Sequence, residues 1–153
     1  MQHETIPQAM LGQDLVCQAK SGMGKTCVFV LSILQQLDAE KSPKPSAIVL
    51  CHTRELAHQI TNEFKRLNKY LPGISVEEIY GGVPIGPQKE KLKKETPHIV
   101  VGTPGRVMDL VKQKALDLSH IKHFVMDECD QLLGVAGIFT CHCALRVRKL
   151  IAS

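Results

Sequence analysis

Five short apolar runs, near residues 15–19, 47–51, 75–79, 98–102 and 123–127, recur along the chain with helix-patterned segments between them. Runs this brief are too short for helices and suit strands buried on both faces. The clearest helical pattern lies at 54–69, where Leu56, Ile60, Phe64 and Leu67 share one face and Thr53 can cap the start. Alternating strand and helix predicts an α/β fold, a parallel sheet with helices on both faces. Ligands of such a sheet sit outside the carboxyl ends of its strands. The turns that follow the runs are therefore where chemistry is to be sought. Residues 39–45 read as a surface loop and 89–95 as a solvated helix face.

Two of those turns carry matched chemistry. After Leu15-Val16-Cys17 comes Ala19-Lys20-Ser21-Gly22-Met23-Gly24-Lys25-Thr26, followed by a helix to about Leu37 with Cys27, Val30, Leu34 and Leu37 at helical spacing. Gly22 and Gly24 permit torsions and close approaches that a side chain would block. Loop N–H groups and the positive end of the helix favour phosphate. Lys25 then reaches the β- and γ-phosphates, and the Thr26 hydroxyl binds magnesium. Ala19 stands where the usual pattern has glycine. A hundred residues on, His123-Phe124-Val125-Met126 runs into Asp127-Glu128-Cys129-Asp130. Asp127 is expected to hold Mg2+ and Glu128 to orient the attacking water, with Asp130 bonding to neighbouring groups. Each stretch also has a plain account, a chance Gly-Lys-Thr at a helix start and an acidic first helical turn. Together, in this order, they predict an ATPase site.

Between them lie Thr53-Arg54-Glu55-Leu56-Ala57, Tyr80-Gly81-Gly82 and Thr103-Pro104-Gly105-Arg106. Taken singly these are a helix start, a turn, and an N-cap followed by proline at N1. As an ordered set with Asp127-Glu128-Cys129-Asp130 they closely resemble the DEAD-box RNA helicases. Cysteine in the third place resembles the DECD subgroup, nuclear helicases linked to spliceosome assembly and mRNA export. So do the flanks Cys51-His52-Thr53 and Pro97-His98-Ile99. The resemblance spans Gln2 to about Leu133.

The resemblance implies a RecA-like P-loop NTPase domain over 1–133, shortened at both ends relative to the family, with a divergent tail over 134–153. It implies ATP and Mg2+ as cofactors, with Lys25 and Glu128 catalytic. Residues 19–26 would bind ATP and Gln2 would read the adenine edge. Thr53, Arg54, Gly82, Thr103, Gly105 and Arg106 would contact an RNA backbone. Such contacts carry no base information, so binding would be sequence-independent and salt-sensitive. It also implies partners in splicing and export complexes and a nuclear location, with the cytoplasm as the alternative. In the family a Ser-Ala-Thr strand lies between the phosphate-loop strand and the acidic strand. No such motif follows Leu133, so the middle of the sheet is expected to stand open, with Ile138 to Cys143 a candidate for the slot. A second domain supplies the family's arginine fingers, so this polypeptide alone is expected to bind nucleotide weakly at best, hydrolyse ATP negligibly and unwind nothing. The competing reading is a non-catalytic interaction module that binds RNA or helicase partners.

Composition excludes more than it selects. The net charge of +4 falls to +1 without Arg146, Arg148 and Lys149, so RNA binding must rest on local placement. No apolar stretch reaches the ~18 residues of a membrane span, and Met1-Gln2-His3-Glu4 lacks a signal-peptide pattern. An intracellular protein with buried thiols among its six cysteines is expected. Cys141-His142-Cys143 lacks the fourth ligand of a structural zinc site. Asn68-Lys69-Tyr70-Leu71 begins like a guanine-reading motif, but the Leu71 side chain accepts no hydrogen bond.

Overall fold

A computed structural model describes residues 2–18, 24–37, 44–71, 73–132 and 148–152, the last for its backbone. The strands are β1 (Leu15–Cys17), β2 (Ala47–Leu50), β3 (Val76–Ile79), β4 (Ile99–Gly102), β5 (His123–Asp127) and β6 (Arg148–Ala152). The helices are α1 (Gln2–Met10), α2 (Lys25–Gln36), α3 (Arg54–Asn68), α4 (Ile85–Lys94) and α5 (Pro104–Lys112). The strands form one sheet in the order β1-β6-β5-β2-β4-β3, and every pairing is parallel. The expected α/β architecture is present.

The continuous apolar strands resolve into two faces, because successive side chains point to opposite sides. Ala47 and Val49 of β2, Ile99 and Val101 of β4, and Val125 of β5 pack with Phe29, Val30, Ile33 and Leu34 of α2 and Ala57, Ile60 and Phe64 of α3. Ile48, Leu50, Val100, Phe124 and Met126 face the other way, onto Leu92 of α4 and Val107, Met108 and Leu110 of α5. Every residue of β2, β4 and β5 is buried. The predicted stripe of α3 behaves as read: Ile60 and Phe64 are in the core, with Leu56 and Leu67 packed against it. The Phe29 and Phe64 rings tie α2 to α3, centroids 6.5 Å apart, and each contributes roughly 1.5–3 kcal/mol through its burial.

The middle of the sheet is not open. β6 lies between β1 and β5, with Leu150 aligned to Leu15 on one side and Val125 on the other. The expectation of a gap is corrected: a ladder is made of backbone N–H and C=O groups and needs no particular motif, so Arg148–Ala152 can complete it. The run Ile138 to Cys143, weighed for that slot, lies outside the described residues, as does Cys141-His142-Cys143. The sheet edges are therefore β1 and β3. On β3, Glu77 pairs with Lys91 at 2.7 Å and Glu78 with His58 at 3.1 Å. A charged rim of this kind discourages edge-to-edge pairing. It also shows Lys91 serving the fold on its helix face.

Two elements escaped the sequence reading. One is β6. The other is α1, where Pro7 sits inside the helix and conceals it.

Candidate functional site

A parallel sheet delivers all its carboxyl ends to one side, and the sequence motifs gather there. Gly24 adopts the left-handed conformation, φ 78°, ψ 24°, immediately before α2. Lys25 and Thr26 occupy the first turn of that helix, both half-buried. Ala19, Lys20, Ser21, Gly22 and Met23 lie outside the described residues. The Gln2 amide nitrogen stands 3.5 Å from the Gly24 carbonyl oxygen. A Cβ at Gly24 would meet only the end of the flexible Gln2 side chain, which can move aside, so it is the left-handed torsion that calls for glycine there. The structure thus places Gln2 against Gly24, just before α2. Gln36 donates to the Ala9 carbonyl at 3.3 Å and holds α1 on α2.

Asp127 ends β5 and is 4 % exposed. Burial pushes its carboxyl above the usual carboxylate range, and the Glu128 charge adds to this. The Glu128 N–H donating to Asp127 Oδ1 at 3.1 Å, with the charges of Lys25 and His52, pulls the other way. Lys25 and Asp127 are therefore neighbours in space, 102 positions apart in sequence. A carboxylate whose charge is penalised by burial gains from meeting a cation, and oxygen donors suit Mg2+. Asp127 and the Thr26 hydroxyl fit that ion, which would neutralise charge between triphosphate oxygens when bound.

Glu128 has φ 53°, a left-handed backbone that costs a non-glycine residue of order 1–3 kcal/mol and is characteristic of functional sites. Its Oε2 lies 3.1 Å from Nδ1 of His52. His52 belonged to no motif read as functional, and nothing in the sequence signals that it meets an acid 76 positions away. Cys51 precedes it, fully buried. Burial, then the charges of Asp127 and Glu128, push its thiol up to about 12. Such a thiol is unreactive. Cys17 is buried too, while Cys27 and Cys129 are half-buried, in keeping with the expected structural thiols. Asp130 accepts from the neighbouring Gln131 side chain at 3.3 Å. Among the described residues, no cluster of three His, Cys, Asp or Glu could hold a metal.

The raised Asp127 carboxyl has a thermodynamic consequence. Because its folded value lies above its unfolded one, its stabilising contribution is complete below the ordinary carboxylate range. That contribution is lost as pH rises through the folded value. At neutral pH without metal the charge is a net cost. Asp127→Asn, which keeps the acceptor for the Glu128 N–H, is expected to raise the melting temperature by roughly 2–4 °C per kcal/mol relieved. Calorimetry should show the gain at pH 7 and its disappearance toward pH 3. A variant less stable than the parent at pH 7 would contradict this account.

The second group lies further along the same rim. Thr53 caps α3, its hydroxyl accepting from the Leu56 N–H at 3.1 Å, as the sequence predicted. The Arg54 guanidinium lies against Gly82, whose φ of 83° and missing Cβ make room for it. Arg106, on α5, donates to Gln88 Oε1 at 2.8 Å and to the Val83 carbonyl at 2.7 Å. Gln88 in turn donates to the Tyr80 carbonyl at 3.4 Å, so it braces the Tyr80–Val83 turn. Thr103 precedes Pro104 at the start of α5 and makes no side-chain cap bond. Gly105 faces open space. Thr53, Arg54, Gly82, Thr103, Gly105 and Arg106 thus come from three turns, those after β2, β3 and β4, on one rim of the sheet.

A family profile described as DEAD/DEAH box helicase matches residues 1–151. The chain belongs to that family. This DEAD/DEAH box helicase domain is 62% identical over 134 residues to the DEAD-box ATP-dependent RNA helicase 15 of Arabidopsis thaliana, covering 87% of the chain and 31% of that relative. It is 56% identical over 133 residues to the ATP-dependent RNA helicase WM6 of Drosophila melanogaster, again over 87% of the chain and 31% of the relative. The chain thus spans about a third of the curated relatives it matches. Among solved structures, a DEAD box protein from Methanococcus jannaschii superposes with a TM-score of 0.87 at 34% identity, over 99% of this chain and 42% of that one. A hypothetical ATP-dependent RNA helicase from Sulfolobus tokodaii gives 0.82 at 28%, over 99% and 44%. The family profile continues past Leu133 through most of β6.

Proposed function

We propose that the chain is the first RecA-like domain of an ATP-dependent RNA helicase, binding Mg-ATP at one end of the rim and an RNA backbone at the other. The observation that carries this reading is the proximity of Lys25, at the start of α2, to Asp127 at the end of β5, with Glu128 next in the chain. A lysine for phosphate, an acid for the metal and a second acid for water are the parts that ATP hydrolysis needs. Lys25 would neutralise phosphate charge, and Thr26 with Asp127 would hold Mg2+. Glu128 accepts a hydrogen bond from the attacking water and aims it. Gln2, beside Gly24, stands ready to meet the base.

At the RNA end, Arg54 forks a phosphate while Thr53, Thr103 and the glycines at 82 and 105 let the backbone approach. Cys129 in the DECD position and the Cys51-His52 flank support a nuclear role in mRNA splicing and export, with proteins of those complexes as partners. RNA binding is tested with a fluorescent oligouridylate across a salt series. Affinity should fall linearly on a log–log plot, and Arg54→Ala should weaken binding and reduce the slope by about one phosphate's worth. Equal affinity for wild type and Arg54→Ala at every salt concentration would remove the RNA contact from this rim.

A further inference from the structure

The His52–Glu128 contact joins the two ends of the rim. His52 is followed directly by Thr53 and Arg54, the residues placed against RNA, while Glu128 is the residue placed against water. We propose that His52 is a positioning residue for Glu128 and that, through it, RNA engagement at Thr53 and Arg54 is transmitted to that carboxylate. The inference rests on the ATP and RNA reading above.

Three features support it. The contact is direct, Nδ1 to Oε2 at 3.1 Å, so Nδ1 carries the proton and donates. The Glu128 backbone is fixed by its place after β5 and by its N–H bond to Asp127, which leaves its half-exposed carboxylate to be aimed by a partner. The turn bearing His52 is tied together by a continuous set of bonds. Cys51 is buried and bonded through its N–H to the Gly102 carbonyl at 3.1 Å, and its thiol contacts the Thr53 carbonyl at 3.5 Å. The same Thr53 carbonyl accepts from the Ala57 N–H at 3.2 Å and its hydroxyl caps α3. A phosphate that draws Thr53 or Arg54 therefore displaces His52 as well. A side-chain hydrogen bond this exposed is worth at most about 1 kcal/mol, weak enough for a neighbouring contact to shift.

Nuclear magnetic resonance on the 15N-labelled full chain tests it without turnover. The His52 ring should appear as the Nδ1-protonated form. Adding oligouridylate should shift the His52 ring nitrogens and the Glu128 backbone amide together, with the midpoint found by fluorescence anisotropy. In His52→Ala, RNA affinity should stay within about fivefold, while the Glu128 response is lost. His52→Asn places an amide N–H where Nδ1 was and should restore that response. A Glu128 amide that responds equally in His52→Ala, or stays silent in wild type while RNA is bound, overturns the proposal. Failure of the wild type to bind RNA removes the RNA reading itself and the coupling with it.

Discussion

Replacing Lys25 with alanine is expected to lower affinity for Mg-ATP at least about a hundredfold while leaving the fold intact. The ammonium would bond two phosphates, and charge-assisted hydrogen bonds contribute about 1.5–3 kcal/mol each. Some 3 kcal/mol corresponds to a hundredfold in affinity. The fold should tolerate the change because Lys25 is half-buried in the first helical turn and outside the core clusters. A cation there also opposes the helix dipole. Titration with a fluorescent ATP analogue, alongside thermal melting, separates the two effects. If Lys25→Ala binds nucleotide within threefold of wild type, the start of α2 is not the triphosphate site.

The largest stability effect is expected at Gly102→Ala. Gly102 ends β4 and pairs with Leu50 on one side and Ile79 on the other. A methyl group on its Cα would overlap the Ile79 carbonyl oxygen and press on Val107 Cγ2 at 3.1 Å. That carbonyl cannot swing aside, since it accepts the Thr103 N–H at 2.9 Å. Gly102 has no unusual φ, so the requirement is purely one of space. Overpacking against backbone costs about 3 kcal/mol, which lowers the melting temperature by roughly 6–12 °C. Gly105→Ala, in α5 and facing open space, serves as the control and should melt at or slightly above the wild type. A Gly102→Ala protein as stable as that control would show that the strand ends can move apart freely.

Much of this domain was legible before any coordinates. Short apolar runs separated by helical periods specify buried parallel strands, because only a strand flanked by helices on both faces has no polar side to show. The caps at Thr53 and the proline at the start of α5 are local chemistry, readable from three or four adjacent residues. Motif chemistry grouped Lys25, Asp127 and Glu128 as candidates for one site because each residue type can do only a few things to a phosphate, a metal or a water, and the fold brings Lys25 near Asp127.

What was not legible depends on partners distant along the chain. β6 is basic at its start and carries no motif, yet its backbone completes the sheet between β1 and β5. α1 contains a proline and is held by its packing on α2. Gly102 looks like any strand-terminal glycine until the Ile79 carbonyl is seen above it. His52 is an ordinary loop histidine until β2 and β5, adjacent in the sheet, bring it to Glu128. Residue types and their spacing determined the sheet class and the list of candidate groups, since torsions, caps and charge are local properties. Only the tertiary structure decided which of those groups meet, because 3 Å contacts arise where strand order, not sequence order, sets the neighbours.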